Sequence, residues 1–124
     1  MQIFLYNKIM EIGIDIEQIE RFKNVSATFL SRVYAPSEIA YAQKLKNTPA
    51  ELCAMWCVKE ATVKAFSNLK MTFSQIVVCR DKNGRPFIEK NDMILAELKK
   101  LNLTEIKVSI SHSKDYATAT VLIY

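Results

Sequence analysis

The sequence is poor in the residues that would give it a simple signature. It has one histidine and three cysteines among 124 residues. An odd cysteine count argues against a disulfide framework. Cys53 and Cys57 are four apart on a predicted helix, but a zinc site would need further ligands, and only Cys79 and His112 remain to supply them. Buried small hydrophobes are the simpler reading of the thiols. No apolar run reaches the roughly 20 residues that span a bilayer. The apolar N-terminus lacks a small-residue cleavage pattern, which predicts a cytoplasmic protein. There are no repeats, linkers or low-complexity segments.

What is present fits one domain over residues 1–124, with half the residues hydrophobic and about a quarter charged. The net charge of +4 suggests an anionic partner: a nucleotide, an acidic protein or nucleic acid.

Ile3 to Ile16 reads as strand, interrupted at Asn7-Lys8. Ile12, Ile14 and Ile16 alternate with Glu11, Gly13 and Asp15, the period of a half-buried strand. That period puts Asp15 on the face opposite the isoleucines. Glu17 to Lys23 reads as a short helix with Glu17 and Arg21 as an i,i+4 pair. A second helical stripe covers Ser26 to Tyr34, and Pro36 opens a third helix. Thr48-Pro49-Ala50-Glu51 has the form of a capping box and opens a helix running to about Leu69. Its buried stripe is Leu52, Met55, Trp56, Val63 and Phe66, and Trp56, Glu60 and Lys64 share one row.

Ser74 to Cys79 and Arg85 to Glu89 read as strands joined by an Asn83-Gly84 turn. Asn91 caps a helix through Leu101. Glu105 to Ser111, with Ile106, Val108 and Ile110 inward, and Tyr116 to Tyr124 form the last two strands around a turn at Ser113-Lys114-Asp115. The order predicts an α+β fold: a largely antiparallel sheet with helices packed on it.

Three groups stand out chemically. A carboxylate flanked by isoleucines, Asp15, is costly unless it is paired or metal-bound. Alternatively it caps the helix opening at Glu17. Glu60 and Lys64 are a surface ion pair or part of a half-buried site. His112 is structural or projects into a cleft from a strand end. Together the two carboxylates, the lysine and the histidine suit Mg²⁺ and a phosphate ester.

The motifs in order resemble the holo-[acyl-carrier-protein] synthases of the 4′-phosphopantetheinyl transferases. The resemblance lies in Gly13-Ile14-Asp15-Ile16 with Ile19-Glu20-Arg21-Phe22, Phe29-Leu30-Ser31-Arg32-Val33-Tyr34 with Pro36-Ser37-Glu38, Lys59-Glu60-Ala61-x-x-Lys64-Ala65, Asp81-x-Asn83-Gly84-Arg85-Pro86, and Ser109-Ile110-Ser111-His112-Ser113. It covers about residues 11 to 123 and implies that family's α+β fold. The implied reaction moves phosphopantetheine from coenzyme A to a serine of acyl carrier protein and releases adenosine 3′,5′-bisphosphate. Asp15 and Glu60 match Mg²⁺ ligands, and Lys64 matches a phosphate-binding lysine; these three are the implied catalytic residues. His112 matches a residue lining the coenzyme A site, and Pro86 and Ser111 fall with it among the substrate-binding positions. Arg21, with Arg32, matches the surface that docks the acidic carrier. A homotrimer with sites between subunits is implied, with no nucleic acid partner and no membrane span.

The chain departs from the family pattern at Met55, where an arginine is usual. It also departs at Ser67-Asn68-Leu69-Lys70, where a glycine loop is usual, at Asn24, Val25 and Thr28, which lack additional arginines, and at Glu11. On the residues alone two rivals stay open. One is another Mg²⁺-dependent phosphoryl-transfer or nuclease domain using Asp15, Glu60 and Lys64. The other is a non-catalytic binding module for an acidic protein.

Overall fold

The computed structural model describes residues 9–124. The first part of the expected strand, from Ile3, and its interruption at Asn7-Lys8 lie outside them. Strand β1 spans Glu11–Gln18, β2 Val78–Arg80, β3 Pro86–Ile88, β4 Ile106–His112 and β5 Tyr116–Ile123. Helix α1 spans Ala27–Val33, α2 Pro36–Gln43, α3 Thr48–Phe66 and α4 Asp92–Lys100. The main sheet has the order β1-β5-β4, and β2-β3 is a separate hairpin; every strand pair is antiparallel. The α+β expectation is met.

The alternating sequence of β5 decides which face of the sheet is covered. Ala117, Ala119, Val121 and Ile123 are all buried beneath α3. The β1–β5 register sets them opposite Glu17, Asp15, Gly13 and Glu11. Paired residues share a face, so Asp15 points toward the helix. Ile12, Ile14 and Ile16 point the other way and are 65%, 60% and 62% exposed. The expected period of β1 holds, yet its apolar side is the open one. Burying α3 over β5 commits the whole sheet, because side chains alternate strictly along each strand.

Several boundaries differ from expectation. β1 continues through Gln18, and only Ile19–Phe22 turns, as a 3-10 helix capped at Gln18 without a side-chain bond. Asp15 therefore lies within a strand and caps nothing. The N-cap of α3 is Asn47, whose Oδ1 accepts from the Ala50 N–H, and Thr48 donates instead to the Ala42 carbonyl. An amide oxygen one residue earlier wins the capping role. α3 stops at Phe66 because Ser67 takes a left-handed conformation, φ 53°, which ends the i→i−4 ladder before Leu69. Phe73–Gln75 is a 3-10 turn, leaving β2 only Val78–Arg80. The β2–β3 loop runs from Asp81 to Arg85, with Gly84 at φ 80° and Asp81 Oδ1 accepting from the Asn83 and Arg85 N–H groups.

Candidate active site

β1 and α3 together position the titratable groups. Lys64 Nζ donates to the Ile14 carbonyl at 2.9 Å and to Asp15 Oδ1 at 3.3 Å. Asp15 Oδ2 is buried without a hydrogen-bond partner. Such an atom is expensive and marks a place where something further is expected to bind. The backbone beneath it is fixed, since Thr118 Oγ1 donates to the Asp15 carbonyl at 2.8 Å.

Glu60 lies one helical turn before Lys64 and is half-buried. Burial pushes its carboxyl above the usual carboxylate range, and the negative charge of Asp15 adds to the shift. Lys64 opposes this, while Glu17 contributes a smaller push in the same direction. A cluster of acids beside one lysine is short of positive charge. The hard oxygens of Asp15 and Glu60, with Asp15 Oδ2 unpartnered, are a donor set that fits Mg²⁺.

The floor of the site is made of thiols. Cys53 Sγ donates to the Glu17 carbonyl at 3.6 Å and Cys57 Sγ to the Ala117 carbonyl at 3.4 Å. All three cysteines are free. Hydrogen bonding with Cys53, burial and the nearby Asp15 charge hold the Cys57 thiol well above its ordinary range. Cys57 is wholly buried and serves as a packing group.

Trp56 shares the row of Glu60 and Lys64 but belongs to an aromatic cluster. Its ring centroid lies 6.0 Å from that of Phe22, 5.9 Å from Phe29 and 5.2 Å from Phe73. Phe22, Phe29 and Trp56 line a cavity of about 380 Å³ with Arg21 at its rim. The Glu17–Arg21 pair forms, although Glu17 is in the strand. Arg32 is exposed in the last turn of α1.

The remaining expected site residues lie elsewhere. His112 is exposed at the end of β4 and borders a small cavity with Leu45, Asn47, Ala50 and Glu51, at the N-terminus of α3. Glu60 lies roughly ten residues along the helix from Ala50, about 15 Å on the axis. Pro86 borders a cavity between β3 and β4, and Ser111 is exposed on the open face of the sheet. Within one chain the structure thus joins Asp15, Glu60 and Lys64. His112, Pro86 and Ser111 are gathered around β3 and β4 instead.

Sequence reasoning gave no role to Lys59, the first residue of the Lys-Glu-Ala signature. It is wholly buried, as is Glu38 of α2. Lys59 Nζ donates to Glu38 Oε1 at 2.8 Å, to the Phe73 carbonyl at 2.9 Å and to the Ile76 carbonyl at 2.6 Å. Glu38 in turn accepts from the Ala35 and Val78 N–H groups, both at 2.8 Å. Burial lowers the lysine's proton affinity, and Glu38 opposes that. This clip joins α2, α3 and the start of β2 immediately behind Glu60. A lysine within an otherwise buried helical stripe was the available signal.

A family model described as the 4′-phosphopantetheinyl transferase superfamily matches residues 11–121. The chain is 37% identical over 122 residues to a holo-[acyl-carrier-protein] synthase of Clostridium tetani, covering 93% of this chain and 95% of that protein. It is also 35% identical over 115 residues to fatty acid synthase subunit alpha of Candida parapsilosis, where it spans 6% of the longer protein. Among solved structures, the Helicobacter pylori holo-[acyl-carrier-protein] synthase in complex with coenzyme A superposes with a TM-score of 0.77 and 28% identity, over 91% of this chain and 99% of that one. With most of its length matched in sequence and in fold, the chain belongs to the holo-[acyl-carrier-protein] synthases of the 4′-phosphopantetheinyl transferase superfamily.

Proposed function

We propose that this protein transfers the 4′-phosphopantetheine group of coenzyme A to a serine of apo acyl carrier protein, with Mg²⁺. The observation that carries the reading is that Asp15 and Glu60, from distant parts of the chain, lie close enough for the charge of Asp15 to act on Glu60, with Asp15 Oδ2 buried and unpartnered and Lys64 bonded to Asp15. The serine oxygen forms a bond to the phosphorus bearing the pantetheine arm. The bond from that phosphorus to the bridging pyrophosphate oxygen breaks, and the serine proton is released. The products are holo acyl carrier protein and adenosine 3′,5′-bisphosphate.

Asp15 and Glu60 are the residues that would hold the metal, which supplies charge neutralisation at the leaving phosphate when bound. Lys64, half-exposed on a flexible stem, can turn from Ile14 and Asp15 to a phosphate oxygen. Arg21 and Arg32 offer positive charge to an acidic carrier, and Arg21 stands over an aromatic cavity able to receive an apolar carrier side chain.

His112, Pro86 and Ser111 act in the coenzyme A site as part of a neighbouring subunit. The open sheet face supports this homotrimeric reading. Ile12, Ile14 and Ile16 form a contiguous exposed apolar stripe beside Leu122, as expected of a surface that another copy covers. Three free cysteines agree with a reducing cytoplasm. No helix among the described residues is long and apolar enough to cross a membrane.

Mass spectrometry of an apo carrier protein incubated with this protein, coenzyme A and Mg²⁺ tests the reaction. The expected result is one added phosphopantetheine on the carrier serine. Unchanged mass across several bacterial carriers would overturn it.

A further inference from the structure

We propose that Gly13 is a positioning residue for the acidic pair: it sets the distance between β1 and α3, and so the separation of Asp15 and Glu60. The significance of that separation rests on the metal-binding reading above.

Gly13 is buried in mid-strand, opposite Val121. Its φ lies outside the left-handed region, so backbone freedom does not explain a glycine here. Space does. A Cβ at this position would stand 2.0 Å from the Ala61 carbonyl oxygen, 2.7 Å from the Ala65 nitrogen and 3.0 Å from the Ala61 carbonyl carbon. All three are backbone atoms of α3, so no rotamer change can relieve the contact. A glycine within a strand commonly marks a close approach of another backbone. At this crossing the helix side is also small, with Ala61 and Ala65 both buried.

The crossing is flanked by the site. Glu60 precedes Ala61 and Lys64 precedes Ala65, while Asp15 is the next residue of β1 on the same face. Any side chain at position 13 must part strand and helix by about 1 Å or more to leave that contact range. The long Lys64 stem can follow such a shift and keep its bond to the Ile14 carbonyl. The short Asp15 side chain cannot. A displacement of this size is enough to cost about 100-fold where geometry is exact.

The test compares the chain with Gly13→Ala, with Ala65→Val, which adds bulk at the buried helix residue whose backbone nitrogen makes this contact, and with Leu98→Ala. Leu98 is a buried residue of α4 and serves as a destabilised control. Crystal structures give the Asp15–Glu60 carboxylate separation, and calorimetric titration with Mg²⁺ gives affinity below each variant's melting temperature. The expected result is a wider separation and at least a tenfold loss of Mg²⁺ affinity in Gly13→Ala, with the same direction in Ala65→Val. Leu98→Ala, at a similar melting temperature, should keep both values. If Gly13→Ala does not fold, Ala65→Val decides. A wild-type separation in the folded crossing variants, or an equal affinity loss in Leu98→Ala, would overturn the proposal. If the wild type binds no Mg²⁺, the metal reading fails, and the measured separation alone decides the role of Gly13.

Discussion

Lys59 and Glu38 form an ion pair from which solvent is wholly excluded, with Nζ 2.8 Å from Oε1. Each partner also bonds two backbone groups, so the pair fastens α2 and the start of β2 to the helix that carries Glu60. Lys59→Met should leave Glu38 buried and uncompensated and cost about 3–5 kcal/mol. Pairing it with Glu38→Gln should recover part of that loss. Urea denaturation checks both, and a single-variant cost below about 1 kcal/mol would remove the clip from the account.

The raised Glu60 carboxyl gives a pH signature. Its folded-state value lies above its unfolded one, so the folded protein holds the proton more tightly. Stability without metal should therefore fall as pH rises from the ordinary carboxylate value of 4.5 to the raised folded value, then stay level. Glu60→Gln should melt higher than wild type at pH 7.5 in EDTA and match it below pH 4. It should also abolish any Mg²⁺-induced rise in melting temperature. Identical melts at both pH values would contradict the crowding of Asp15 and Glu60.

Asp15→Ala and Glu60→Ala should each lower turnover by several orders of magnitude. The double variant should be little worse than either, because groups acting as one unit are strongly non-additive. Rates of carrier modification, measured on variants whose circular dichroism shows them folded, decide this. Multiplicative losses would mean separate roles.

Arg21→Glu should weaken carrier use more than coenzyme A binding. It replaces a rim cation with an anion beside Glu17, its present partner. Rim charges act mainly on association rate, so kcat/KM for the carrier should fall most at low salt. A raised KM for coenzyme A with unchanged carrier kinetics would reverse the assignment.

Ile14→Asp places a charge in the centre of the open apolar stripe. If this face is the subunit contact of the proposed trimer, the variant should sediment as a monomer and wild type as a trimer, with loss of activity in the variant. Because the side chain is exposed within one chain, the monomer should remain folded. A trimeric, active Ile14→Asp protein would place the subunit contact elsewhere.

The sequence by itself determined the α+β class and the order of the strands and main helices, while several element boundaries moved once the chain packed. It also picked out Asp15, Glu60 and Lys64. Alternation in β1, β4 and β5 and the apolar stripe of α3 are local periods, legible without a fold. Tertiary structure decided what those periods face. Pairing β1 with β5 turned Asp15 toward α3 and left three isoleucines open, a choice that β1 alone cannot express, since either side of an alternating strand can be covered. Whether Asp15 capped a helix or stood within a strand was likewise settled by where β1 stops. The Lys59–Glu38 clip and the crossing of Gly13 over Ala61 join residues far apart in the chain. Contacts of that range leave no local period to read; they exist only once helix and strand have packed.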